Sequence, residues 1–201
     1  NAFKAHLPDA APVNLVTDRA TEGRVYVSTY PTMMGPINEA AGSGQRRAGL
    51  GRVGDGVVIS PGGAGAAEEF LDLLGILMHP ENQGVPFPLV LTGPKSATGY
   101  FQQLHAFIGA TLGEAAQGLY QIIINDPAQV AQRMSEGLRE VKNFRRQRND
   151  AFHFNWLLKI DPRFQRPFEP THANMAALQL TRDLPPHELA ANLRRAFSGI
   201  V

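Results

Sequence analysis

The chain has 201 residues, and at roughly 100–200 residues per domain that means one domain, or one domain with a large appendage. Hydrophobic residues make up 43% and charged residues 18%, a globular mixture that excludes wholesale disorder. Nineteen basic against eighteen acidic residues leave a net charge of +1, too even for a protein wrapped around nucleic acid. Zero cysteines exclude a disulfide scaffold, a thiol nucleophile and a Cys-ligated zinc or iron–sulfur centre. No apolar run approaches the ~20 residues of a membrane span, and the first residues lack the pattern of a signal peptide. The expectation is a reduced, cytoplasmic protein.

Residues 1–56 hold glycine, proline and short polar runs around one strand pattern, Arg24-Val25-Tyr26-Val27-Ser28. From Asp55 the alternation sharpens. Gly56-Val57-Val58-Ile59-Ser60 predicts a strand, and Pro61-Gly62-Gly63-Ala64-Gly65 turns the chain. An apolar helix follows over 66–78, stopped by Pro80. Pro88-Leu89-Val90-Leu91-Thr92 is the next strand, and residues 100–112 form a helix with Phe101, Leu104, Phe107 and Ile108 at three- and four-residue spacing. Gln121-Ile122-Ile123-Ile124-Asn125 is another strand, and Asp126-Pro127 opens a helix to about 141. Continuous apolar strands alternating with helices point to strands buried on both faces, hence a parallel sheet in an α/β fold. The strand at 56–60 is expected at its centre, with the ligand at its C-terminal end.

After about Arg148 the rhythm breaks. Residues 151–155 read as a loop or irregular strand, and 161–172, rich in proline and charge, as an extended arm. An amphipathic helix over 187–200 places Leu189, Leu193, Phe197 and Ile200 on one face and runs uncapped to the end. Residues 1–20 offer no opening strand and glycine turn. The chain is therefore expected to be a fragment, or to lack stretches at or near its ends.

The glycine turn carries the first functional signal. Three glycines between a strand and a helix let a ligand approach the backbone, and the helix start offers unpaired N–H groups and a positive dipole end. That is a phosphate cradle, but not a P-loop, because no Lys-Ser/Thr pair follows. The Gly-Gly-x-Gly spacing is not the dinucleotide fingerprint either. The alternative is a strand–helix turn that needs positive φ, with Glu68 and Glu69 complementing the dipole.

Pro61-Gly62-Gly63-Ala64-Gly65-Ala66-Ala67-Glu68-Glu69 resembles the Pro-Gly-Gly-x-Gly-Thr-x-x-Glu signature of the LOG phosphoribohydrolases, long called lysine decarboxylases. Leu73-Leu74-Gly75-Ile76-Leu77-Met78, Leu91-Thr92-Gly93-Pro94-Lys95, Tyr120-Gln121-Ile122-Ile123-Ile124, Phe154-Asn155-Trp156, Pro167-Phe168-Glu169-Pro170 and the stretch from Leu193 to Val201 resemble the bacterial nucleotide 5′-monophosphate nucleosidases of that family. The resemblance covers residues 45–201. It implies a Rossmann-like, doubly wound parallel sheet with helices on both faces plus a C-terminal extension. The core would span 1–148, of which 1–44 fits the pattern least, and the extension 149–201, truncated at its end.

The activity implied is hydrolysis of the N-glycosidic bond of purine or pyrimidine nucleoside 5′-monophosphates to free base and ribose 5-phosphate. Such a cleavage passes through an oxocarbenium-like state, so a carboxylate beside C1′ stabilises positive charge or activates water. Glu69 takes that role, with Glu68 read as a solvated helix residue. The turn Gly62, Gly63, Ala64, Gly65 and Ala66 holds the 5′-phosphate. The resemblance also implies a catalytic arginine fifteen residues before the motif proline, a position held here by Arg46, which would fix the substrate and Glu69. Ala66 replaces the motif threonine and removes a hydroxyl.

No cofactor or metal is expected. The histidines His6, His79, His105, His153, His172 and His187 show no His-x-x-x-His pairing and read as surface or packing residues. Lys4, Lys95, Lys142 and Lys159 show no cofactor-anchoring context. Arg139, Lys142, Arg145, Arg146 and Arg148 place five basic residues in ten. They form either a solvated helix end suited to the dipole or, as the resemblance implies, a guanosine-alarmone effector site built on Lys142, Arg145 and Arg146. Phe152, Phe154 and Trp156 read as core residues or, alternatively, as aromatics that stack a base. The partners expected are a nucleoside monophosphate and a second copy in a homodimer or homotetramer, with no nucleic acid and no membrane. The alternative function is a catalytically weakened LOG-like module that binds or senses nucleotides.

Overall fold

Three aliphatic runs form a parallel sheet in the computed structural model, which describes residues 55–150, 157–161 and 168–200. Strand β1 (Val57–Ile59) pairs with β2 (Leu89–Gly93) in the register Val57 to Leu89, and β2 pairs with β3 (Gln121–Ile124) in the register Val90 to Gln121. Helix α1 (Ala64–Leu77) connects β1 to β2; α2 (Thr98–Leu112) and the single turn α3 (Glu114–Gln117) connect β2 to β3. Helix α4 (Pro127–Gln147) follows β3, and a short α5 (His172–Ala176) and α6 (Pro186–Phe197) complete the described elements. The strand expected at 24–28 lies outside the described residues.

The period-two alternation of the strands divides the core between two faces. Leu89 and Leu91 join Phe70, Leu71, Leu74, Phe101, Ile108, Leu189 and Leu193 in the larger cluster, with Val57, Ile59, Ile122 and Ile124 packed against it. Val90 and Ile123 point the other way, onto Val130 and Met134 of α4, with Val58 beside them. Helices therefore cover both faces of the described sheet. Leu158, Ile160, Leu189, Ala190, Ala191 and Leu193 belong to the larger cluster, so the C-terminal residues share the core of the α/β unit.

The expectation of a central β1 is not met among the described strands, because β2 stands between the other two. Burial follows this order: Leu89, Val90 and Leu91 are buried, whereas β1 is half-buried throughout. Helix α4 starts as expected, with Pro127 in its first turn and the Asp126 carboxylate accepting the Gln129 N–H at 2.9 Å. It runs to Gln147, well past the expected 141, because Met134, Val141 and Arg145 continue its buried stripe. Helix α6 ends at Phe197 rather than running to 200. The N–H groups of Gly199 and Ile200 turn back onto the Ala196 and Phe197 carbonyls, closing the last turn with i→i−3 bonds. Of the arm expected at 161–172, residues 162–167 lie outside the described residues. Thr171 then caps α5 by accepting the Asn174 N–H at 3.2 Å.

Two polar contacts lock the periphery. The Asn82 side chain donates to the carbonyls of Ile76 and Lys159 and accepts the Lys159 N–H, joining the end of α1 to residues 157–161. Tyr120 packs edge-on against Phe70 and bonds His105 Nδ1 at 2.8 Å. Burial pushes its phenol up to about 12, so it stays neutral through the physiological range.

Candidate active site

Parallel pairing brings the C-terminal ends of all three strands to one edge, where ligands of open α/β sheets bind. Ser60, Pro61, Gly62 and Gly63 follow β1 and are all exposed. The close of β2 fits against this turn. A Cβ on Gly93 would come within 2.7 Å of Pro61 Cγ and 3.1 Å of Ala97 Cβ, so only glycine lets the two segments meet. At the end of β3 the Asn125 N–H donates to the Gly93 carbonyl at 2.9 Å, with Asn125 held at a left-handed φ of 56°. Asparagine tolerates that conformation better than most residues, and such outliers cluster at ligand sites. Lys95, exposed, stands on the same rim.

Helix α1 begins here. Gly63 is its N-cap, in extended conformation and without a side-chain cap bond. The N-cap residue thus offers the first-turn N–H groups no side-chain acceptor of its own. None of Gly62, Gly63 and Gly65 has a positive φ, so the reading of this turn as one that needs it is corrected. What Gly62 provides is space: a Cβ there would sit 2.5 Å from Ala66 Cβ. Gly62→Val is accordingly expected to displace the start of α1 and to weaken inorganic phosphate or ribose 5-phosphate binding at least about tenfold, read by calorimetry. Gly63→Ala, with nothing within 4 Å of the added carbon, is the control.

The carboxylates divide sharply. Every residue from Ala67 to Leu77 is buried except Glu69, which is half-buried. Past the half-buried first residues Ala64 to Ala66, Glu69 is thus the one position of α1 that is not buried. It lies in the second helical turn, roughly 8 Å along the axis from the first residue. Glu68 was expected to be solvated. Instead it is 8% exposed, and its Oε1 accepts from Ser198 Oγ at 2.8 Å and from Arg194 Nη1 at 3.4 Å. Arg194 Nε also pairs with Asp72 Oδ1 at 3.3 Å, both side chains being 1% exposed. Composition and spacing did not single out this cluster. The available signal was Asp72, one charge inside the apolar run from Phe70 to Leu77 and four residues after Glu68, because a charge buried there needs a partner.

Arg46 lies outside the described residues, as do Phe152, Phe154 and Trp156. The three cations expected to form an effector site do not share a face. Lys142 and Arg146, four apart on α4, are both exposed, whereas Arg145 is 8% exposed and turned inward. Its Nη1 donates to Asp55 Oδ1 at 2.6 Å and its Nε to Asp150 Oδ2 at 2.9 Å. An open groove of about 440 Å³ between β3 and α4, lined by Gln121, Ile123, Gln132, Arg133 and neighbours, contains no residue of the glycine turn. Among the described residues no group of three or more histidine, cysteine or carboxylate side chains is placed to hold a metal ion. None of the described helices is long and apolar enough to cross a membrane.

A family model described as "Possible lysine decarboxylase" matches residues 30–134, and one described as "Pyrimidine/purine nucleotide monophosphate nucleosidase, C-terminal" matches residues 138–201. Proteins named pyrimidine/purine nucleotide 5′-monophosphate nucleosidase from three strains of Escherichia coli are 53% identical over 150 residues, 75% of this chain and 33% of theirs. The chain spans about a third of the length of these curated relatives. With the glycine turn, the carboxylate behind it and a matching model over more than half its length, the chain belongs to the lysine-decarboxylase-like, or LOG, family.

Proposed function

We propose that this chain forms part of a nucleoside 5′-monophosphate nucleosidase, on a Rossmann-like, doubly wound core with a C-terminal extension. The observation that carries this reading is the placement of Glu69. Beyond the half-buried first residues Ala64 to Ala66, it is the one half-buried position on a buried helix whose N-cap glycine follows the strand end. Phosphate bound by the N–H groups of Gly62 to Ala66 would lie on the helix axis, and a ribose hanging from it would run back along α1 toward the carboxylate. The C1′–N bond then breaks with its electron pair leaving on the base. Water forms the new C1′–O bond and loses a proton, and Glu69 either accepts that proton or stabilises the cationic ribose. Arg46 would hold the phosphate sugar and Glu69 by charge-assisted hydrogen bonds. The relatives' name supplies the substrate class, purine and pyrimidine nucleotides alike.

Lysine decarboxylation fits these residues poorly. The described lysines, Lys95, Lys142 and Lys159, are all exposed, whereas an amine that forms a Schiff base works from a desolvated pocket. A second reading, a nucleotide-binding module with weakened catalysis, rests on Ala66, which leaves the start of α1 without the motif's hydroxyl. Incubation with AMP, GMP, CMP and UMP separates the two. Release of ribose 5-phosphate is expected; binding by calorimetry with no release would favour the module. The same reading carries a guanosine alarmone as effector and a homodimer or homotetramer as the assembly. Sedimentation showing only monomer at micromolar concentration would remove the assembly.

A further inference from the structure

We infer that Arg194, on the C-terminal helix α6, is a positioning residue for the chemistry at Glu69, gripping the two carboxylates that flank Glu69 along α1. The inference rests on the proposed role of Glu69. Glu68 and Asp72 are four residues apart, about 6 Å along the helix axis, with Glu69 between them in height. Arg194 spans that distance with one guanidinium, Nη1 to Glu68 at 3.4 Å and Nε to Asp72 at 3.3 Å. Ser198, the residue that caps the end of α6, holds the same Glu68 oxygen at 2.8 Å. Arg194 and Asp72 are each 1% exposed, and among the described elements α1 and α6 make the most extensive contact.

A buried ion cluster adds little stability over apolar side chains of the same volume. The hydrogen bonds of Arg194 and Ser198 to Glu68 are directional, however, and the ion pair with Asp72 adds a second charged anchor, whereas apolar contacts tolerate sliding and rotation. Gripping α1 at two points a turn apart fixes its rotation about its own axis. That rotation is the movement that would swing Glu69 away from C1′ while leaving the glycine turn in place. A misplacement of about 1 Å is enough to cost a hundredfold in rate. Small residues favour the close approach that this geometry needs: Ala190 and Ala191 of α6 are buried, and Ala190, Arg194 and Ser198 follow one another at four-residue spacing.

The test compares the full chain with its Arg194→Lys and Ser198→Ala variants, using AMP and working well below the melting temperature of each. Lysine keeps the charge but lacks the planar fork that bridges two carboxylates. For Arg194→Lys, kcat is expected to fall about 10- to 100-fold, with KM and the calorimetric Kd for AMP within about threefold of wild type. For Ser198→Ala the expected fall is about 3- to 10-fold. A purely structural Arg194 would lower Tm and leave kcat of the folded enzyme unchanged, which overturns the inference. Should Arg194→Lys fail to fold, unchanged kcat in Ser198→Ala overturns it equally. An inactive wild type, or full activity in Glu69→Gln, would overturn the reading of Glu69 and this inference together. Active wild type, inactive Glu69→Gln and unimpaired Arg194→Lys would overturn this inference alone.

Discussion

Glu69→Gln is expected to lower kcat about 10²- to 10⁴-fold while leaving substrate affinity within a few-fold of wild type. Glutamine keeps the size and hydrogen bonding of the side chain and removes only its charge and basicity. A carboxylate that acts on C1′ matters most when positive charge has developed there, so its loss appears in turnover rather than binding. The alternative, a glutamate that complements the helix dipole, predicts near-normal turnover and a loss of at most about 1 kcal/mol in stability. Geometry already weakens that alternative. Glu69 sits in the second turn of α1, whose first turn holds no acidic residue, and the dipole effect fades beyond the first turn. Arg46→Ala should behave differently, raising KM as well as lowering kcat, because it is proposed to touch the bound phosphate sugar before reaction. Steady-state kinetics beside a thermal melt distinguishes these outcomes. Near-wild-type turnover in Glu69→Gln would end the catalytic assignment.

The strands and the long helices were legible because their signals are local. Val57-Val58-Ile59, Leu89-Val90-Leu91 and Ile122-Ile123-Ile124 are apolar runs of strand length, and Asp126-Pro127 is a helix start in two residues. The family came from one nine-residue motif and its continuation. What local pattern could not supply was the order of the strands and the partners of the charges. Glu68 and Glu69 are adjacent and chemically identical in the sequence. They part because successive helical residues point about 100° apart, which turns one toward α6 and leaves the other half-open. Arg194 lies 126 residues from Glu68, so no spacing rule links them. Arg145 and Arg146 are another such pair, read as one cationic patch and separated by the same 100° into a buried cation and an exposed one.

Arg145→Met should therefore destabilise the protein by roughly 3 kcal/mol, with Arg146→Ala within about 0.5 kcal/mol of wild type. Arg145 joins the approach to β1 to the end of α4. Its guanidinium pairs with Asp55, two residues before Val57, and with Asp150, whose side chain is 3% exposed, just past the helix. Methionine fills a similar volume but leaves the Asp150 carboxylate buried without that cation, and such an uncompensated charge is what makes a broken buried pair costly. At about 2–4 °C per kcal/mol for a chain of this size, Tm should fall by about 6–12 °C. The effector proposal then depends on Lys142 and Arg146, which sit one turn apart on the exposed face of α4 and present two cations to a polyphosphate. Calorimetry with guanosine tetraphosphate decides it: Arg146→Ala should weaken binding about tenfold or more without moving Tm. Equal binding by wild type and Arg146→Ala would remove the site, and a stable, fully active Arg145→Met would show that Arg145 does not anchor the strand that leads into the glycine turn.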